Sequence, residues 1–365
     1  MRSFLPFHFP LLPRCVTGAL LVLALVGCEP DKPAPPAAAA ALATQTPSSS
    51  AAAASAPAAS ARTVPLGPSA APVARPANGI LGAGQADGIL KRGEPRRGAL
   101  VSAGAEPREA IGYRFVPGVK QTATLALELA MSMSPPGMQP KLVKMPRTES
   151  DLAITAEPGE GGAALIRVTL AGVRVTAEDA SQAGAVSASG DALKKLQGLE
   201  LALTVDPLGR RTEIALDKAG DRNEPAAAAA LEQVRATLQN VLVPMPEEPV
   251  GVGARWVVVE RIATPSDVIQ IRTVELKKRD GTRVEVEIGI QQIAASDKLG
   301  NMPLGRGPQP TLSSLDTDGK ATFAVDLERV CPDSGVSEVK TVMLLASGRD
   351  AMRTEAVARA TIKSR

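Results

Sequence analysis

Histidine is nearly missing from this chain: His8 is the one imidazole in 365 residues. Aromatic residues make up 2%, and the cysteines are Cys15, Cys28 and Cys331. With so few aromatics and no interleaving of them with basic residues, there is no platform on which single-stranded nucleic acid could stack, so nucleic acid is not an expected partner. Formal charge is close to balanced, at +3, and such a surface neither seeks nor repels polyanions. Neither G-x-S-x-G nor a P-loop occurs. Gly82-Ala83-Gly84 lies away from any strand-to-helix junction and is no dinucleotide fingerprint. No cofactor and no metal is implied.

What is present begins with an apolar run from Cys15 to Val26, preceded by Arg2 and Arg14 and ending in small residues, which is the anatomy of a secretory signal. It is too short to span a bilayer comfortably. Its ending, Leu25-Val26-Gly27-Cys28, resembles the bacterial lipobox. That resemblance implies a lipoprotein signal peptide over residues 1–27, diacylglycerol on the Cys28 thiol and cleavage just before it. Acyl chains worth about 0.8 kcal/mol per buried methylene would then anchor the protein without a spanning helix. Glu29 stands where enteric bacteria often place Asp for inner-membrane retention, which favours the outer membrane. Cleavage would discard His8, excluding Ser-His-Asp and Cys-His nucleophilic sites, His-ligated zinc and His general bases. It would also leave Cys331 as a lone thiol with a core position as its expected role.

Residues 28–98 are rich in Ala, Pro, Ser and Gly, with no charge between residues 33 and 61. Such composition cannot bury enough apolar surface to offset ordering entropy, so a disordered tether is expected there, with the basic cluster Lys91, Arg92, Arg96, Arg97 and Arg108 near its end. From 99 to 365 the pattern has period two. Leu125, Leu127, Leu129, Met131 and Met133 alternate with small or polar residues. So do Ile166/Val168/Leu170, Leu199/Leu201/Leu203/Val205, Val284/Val286/Ile288/Ile290 and Phe323/Val325/Leu327. After Leu170 the apolar phase slips to Val173 and Val175, which predicts a β-bulge near Ala171-Gly172. Reversals are expected at Glu157-Pro158-Gly159, Asp206-Pro207-Leu208-Gly209, Asp280-Gly281 and Thr317-Asp318-Gly319. An amphipathic helix is expected over Pro225–Leu242, with a shorter helical turn from Asp191 to Leu196. The fold class is therefore mainly β: a large curved antiparallel sheet with one main helix.

Chemistry-bearing patterns are sparse. Ser337-Glu338-Val339-Lys340 matches S-x-x-K, but in a strand the hydroxyl and amine point to opposite faces. Ser314, Asp316, Asp318 and Gly319 fit the start of a calcium loop whose twelfth position is Val325, not glutamate. Glu285 and Glu287 share the outward face of one strand. Two loops, 134–148 and 295–318, carry Met138, Met145, Met302, Leu304 and Leu312. Flexible Met and Leu there would suit a lid over an apolar ligand, or would fold back over the sheet edge.

From Tyr113 to the C-terminus the order of pieces resembles a family of bacterial lipoproteins whose function is not established. The landmarks are the long alternating strand, Asp206-Pro207-Leu208-Gly209-Arg210, the helix, and Pro249-Val250-Gly251-Val252-Gly253-Ala254-Arg255-Trp256, which reads as a turn delivering Trp256 onto a buried strand over Arg255–Ile262. The chain also looks like the half-barrel of LolA-type and LppX-type carriers, a resemblance that implies a curved sheet able to hold acyl chains. The expected protein is a non-enzymatic, lipid-anchored resident of the cell envelope, facing the periplasm or the cell surface. Its expected partners are the membrane, through Cys28, and an acyl-chain ligand or an envelope protein. Leu125, Leu127, Leu129, Val284, Val286 and Ile288 are the candidate lining of its apolar face. A scaffold with a closed core is the alternative. An enzyme working through Asp, Glu, Ser, Lys or Arg is a third, and would need two inward carboxylates in a cleft.

Overall fold

The computed structural model describes residues 75–135, 138–139, 141–177, 180–210, 215–218, 241–264, 266–299, 310–347 and 350–365. The signal segment 1–27, Cys28, the tether up to residue 74 and most of the expected helix Pro225–Leu242 lie outside these residues. After helix α1 (Gln85–Ile89) come β1 (Arg97–Ser102), β2 (Lys120–Ser134), the short β3 (Val143–Lys144), β4 (Arg147–Pro158) and β5 (Ala164–Thr176). Helix α2 (Ala183–Lys194) leads to β6 (Glu200–Val205) and β7 (Ala215–Lys218). Six long strands follow: β8 (Arg255–Thr264), β9 (Ser266–Asp280), β10 (Arg283–Ala294), β11 (Thr311–Asp326), β12 (Ser334–Ser347) and β13 (Asp350–Ser364).

All pair antiparallel in one sheet, in the order β1-β8-β9-β10-β11-β12-β13-β2-β4-β5-β6-β7, with β3 beside β2. Two meanders are thus stitched together where β2 meets β13, Leu125 opposite Ile362. Among the described residues the sheet does not close.

Its two ends nevertheless approach each other. The Met245 N–H donates to Leu208 O, just past β6, and Trp256 on β8 donates from Nε1 to Pro244 O at 2.8 Å. Along the sheet β6 and β8 are nine strand spacings apart, roughly 43 Å at about 4.8 Å each. Two hydrogen bonds and one residue bridge that separation in space, so the sheet coils back on itself in the manner that accumulated strand twist favours. Residues 109–116 cross the same opening. Tyr113 N–H donates to Pro207 O, Arg114 N–H to Leu327 O, and the buried Tyr113 hydroxyl both donates to Val243 O and accepts from Val243 N–H. Gly209 ends the Asp206 turn with φ +71°, and a Cβ there would press to 2.9 Å against the Tyr113 ring and Val243 O. Gly251 is equally constrained, since a Cβ would lie 1.7 Å from Ala105 O.

The strand pattern reads through well. Ala171 is the extra residue of a bulge, because Asp151 pairs with Gly172 and Leu152 with Leu170. Trp256 is buried on β8, as its motif predicts. Other expectations need correction. Thr317-Asp318-Gly319 is no reversal: β11 runs straight through it, since burial of Leu315, Thr317, Ala321, Phe323 and Val325 on one face outweighs the local turn chemistry. Gly319 instead permits close packing, with Val339 and Ile290 about 3 Å from where its Cβ would be. Loop 295–318 therefore ends at Thr311, and loop 134–148 contains β3 and the start of β4. The helical turn expected at Asp191 begins earlier, as α2 from Ala183.

The tether boundary also moves. Leu81, Ala86 and Leu90 pack on the outward face of the sheet against Ile269 and Ile293, and Ile80 bridges to Ala294. Two apolar pairs, Ile80-Leu81 and Ile89-Leu90, give this Gly-rich stretch enough area to bury, which averaged composition conceals. Arg261 locks it in place by donating to Asp87, to Leu90 O and, with both arms, to Asp267, which Arg92 also engages. Residues 75–96 are thus a strap on the sheet.

Candidate functional site

Side chains on the inward face are set by register, since directly paired residues share a face. The level nearest one end runs Leu125, Ile362, Gly335, Phe323, Val286 and Leu276 across six strands. Above it run Leu127, Ala360, Ser337, Ala321, Ile288, Val274 and Trp256. All six candidate lining residues, Leu125, Leu127, Leu129, Val284, Val286 and Ile288, face inward and are buried, and all but Leu129 belong to the core cluster that also holds Trp256, Tyr113 and Cys331. Burial pushes the Cys331 thiol up to about 12. Gln121 closes the wall beside it, donating to Cys331 O and accepting from Cys331 N–H.

Moving toward the Met133 end, the inward face changes character. Arg272 is buried and pairs with Glu260 at 2.9 Å, and Gln292 donates to Gln270. On the next three strands stand Thr317, Thr341 and Thr354, a diagonal of hydroxyls. Thr317 and Thr354 are 1% and 0% exposed, and neither Oγ1 has a hydrogen-bond partner. Beyond this polar belt a second apolar cluster forms from Val268, Leu312, Leu315, Met343 and Leu345.

Between the two clusters, on β12, β13 and β2, the inward face is only partly covered. Ser337, Val339, Ala358, Ala360 and Met131 are all half-buried, and Met133 at the rim is exposed. The cause is side-chain size. β13 presents Ala358 and Ala360 in succession and β12 sets Ser337 opposite Ala360, so the floor there lies too low to reach the packing above it. The result is a trough with a small-residue floor, a methionine rim and threonines at one end. Its half-buried floor spans Ala358 and Ala360 on β13 with Val339 and Ser337 opposite, and gives way to buried Ala356 and Thr354 toward the threonines.

Other nominated motifs do not assemble. Ser337 faces inward, whereas Lys340 lies on the outward face and pairs with Glu355 at 2.8 Å. Asp316 faces out to Arg75, and Glu285 and Glu287 meet Lys278 and Lys277 at the surface. Among the described residues no three His, Cys, Asp or Glu side chains gather as a metal ion would need. No helix among them is long and apolar enough to cross a membrane. The threonine diagonal and the low floor are features that sequence reading missed. Thr and Ala are ordinary in alternating strands, and only the pairing of β11, β12 and β13 aligns them. Comparison with known proteins finds no matching family model and no curated relative.

Proposed function

We propose that this protein is a lipid-anchored, non-enzymatic resident of the cell envelope, held by Cys28, whose coiled sheet acts as a half-barrel that shelters an acyl chain. The observation carrying this reading is the half-buried inward floor at Ser337, Val339, Ala358 and Ala360, lying between two packed clusters. An apolar depression with a small-residue floor suits a hydrocarbon chain, and exposed Met133 gives its rim a side chain that adapts to variable occupants. Residues up to 74 supply the anchor and reach, with the outer membrane as the favoured site. A closed scaffold is the second reading, favoured by the burial of all six nominated lining residues.

The test is to purify the acylated full chain from membranes and extract it with chloroform and methanol, which releases only lipid that is not covalently attached. Mass spectrometry is expected to find about one acyl lipid per protein, lost in Ala358→Trp, which fills the trough, while the melting temperature of that variant stays close to the parent's. Lipid-free protein, or equal lipid in Ala358→Trp, sinks the carrier reading. A stable protein neighbour cross-linked in cells, together with lipid-free extracts, establishes the scaffold.

A further inference from the structure

The rim of the trough carries an unusual surface. Met138 is 63% exposed, Val143 59% and Met133 47%, and Leu142 is exposed beside them. Val143 pairs with Met131, which places it beside Met133 where β2 ends and the trough opens, and Met138 and Leu142 belong to the segment joining β2 to this strand. Exposed Lys141 and Lys144 flank Leu142 and Val143. Apolar side chains that can enter an interface, bordered by lysines whose stems reach back to anionic headgroups, form the composition of a membrane-contacting edge.

Where the strap ends bears on the same question. Arg75 is fixed to Leu315 O and to Asp316. Leu315 stands in one row with Met343, Thr354 and Met133. The strap therefore hands the chain over to the anchor-bearing segment at the same end of the sheet as the exposed patch, three strand spacings or roughly 14 Å to one side. The segment toward Cys28 thus leaves from this end of the sheet, and not from the Asp280-Gly281 end.

We infer that the Met133, Met138, Leu142 and Val143 rim docks on the surface of the anchoring bilayer, so that the trough opens directly onto lipid. This inference rests on the anchor reading above, and the two fail separately. The experiment uses the full acylated chain in vesicles of phosphatidylethanolamine and phosphatidylglycerol, with an environment-sensitive fluorophore on Met138→Cys or, as comparator, on Val116→Cys. Val116 is also exposed but precedes β2 at the far end of the sheet, and buried Cys331 does not compete for label. The expected result is a blue shift and quenching by brominated acyl chains at 138 and neither at 116, both lost when Leu142→Asp and Val143→Asp are added. Equal responses at the two positions, or none at either, overturn the docking rim. A vesicle-independent response at 138 that rises with protein concentration overturns it in favour of a second copy of this chain. Intact mass of the same sample reports acylation at Cys28: an unacylated chain sinks the anchor reading, while the comparison of 138 with 116 still judges the rim.

Discussion

The two halves of the inward face are built on one continuous set of strands yet from different materials. On β4, β5, β8, β9 and β10, large side chains meet around Trp256 and Tyr113, and the face is filled. On β12 and β13 the face presents Ser337, Val339, Ala358 and Ala360, and is only partly covered. Strand pairing is continuous through both, so the backbone does not dictate the difference. Side-chain volume does, and the sheet's hydrogen-bond ladder holds open a floor that packing alone would collapse.

The sharpest way to break this contrast is to empty the filled half. Trp256→Ala removes a fully buried indole and its bond to Pro244 O, and is expected to cost roughly 3–5 kcal/mol in denaturant unfolding. A cost below about 1 kcal/mol would mean that this level is as loose as the other. Adding volume probes the two halves directly. Ala164→Leu, at a fully buried position, is expected to cost about 1–3 kcal/mol. Ala358→Leu, on the half-buried floor, is expected to cost less than about 0.5 kcal/mol. Equal costs would erase the trough as a physical feature.

Much of this was legible beforehand. The alternation at Leu125–Met133 and Val284–Ile290 announced β2 and β10, the phase slip announced the Ala171 bulge, and the Gly251–Trp256 motif announced a buried tryptophan. These are local signals, set by period and turn chemistry. The joining of β2 to β13 was hidden because two strands more than 200 residues apart leave no mark on each other's local pattern. The trough was hidden for the same reason: alanine on β13 and serine on β12 become a floor only once register aligns them. The strap was missed because four large apolar residues were diluted by glycine, and a charge pattern such as Arg261 with Asp87 and Asp267 has no short-range signature.

That strap lies behind β9 and β10, on the filled side of the sheet, so weakening it asks whether that side depends on external support. The Arg261 guanidinium, hydrogen-bonded to Asp267, holds its carboxyl below the usual carboxylate range. A depressed folded value stabilises fully above the unfolded aspartate pKa of about 3.9 and is lost as pH falls through the lower, folded one. Asp267→Asn is expected to cost about 2 kcal/mol at neutral pH and to flatten this loss as pH falls below the unfolded aspartate pKa. Hydrogen exchange at the Leu90 amide, which donates to Ala86 O, reads the strap locally and is expected to quicken. Unchanged protection in Asp267→Asn would show that apolar packing alone holds residues 75–96.

A modest effect of opposite sign is the most diagnostic for the polar belt. Thr354 has its hydroxyl fully buried with no partner, between Met343 and Met133 in register. A buried donor left unmade is a cost carried by the native state, and valine keeps the shape while removing it. Thr354→Val is therefore expected to raise stability by about 1 kcal/mol in denaturant unfolding of lipid-free protein. The gain should shrink or reverse in protein that retains its extracted lipid, because a polar group on the occupant would then satisfy the hydroxyl and valine would forfeit that bond. A loss of stability in lipid-free Thr354→Val would show that the hydroxyl is already satisfied within the fold, and the contrast between the filled and open halves would reduce to volume alone.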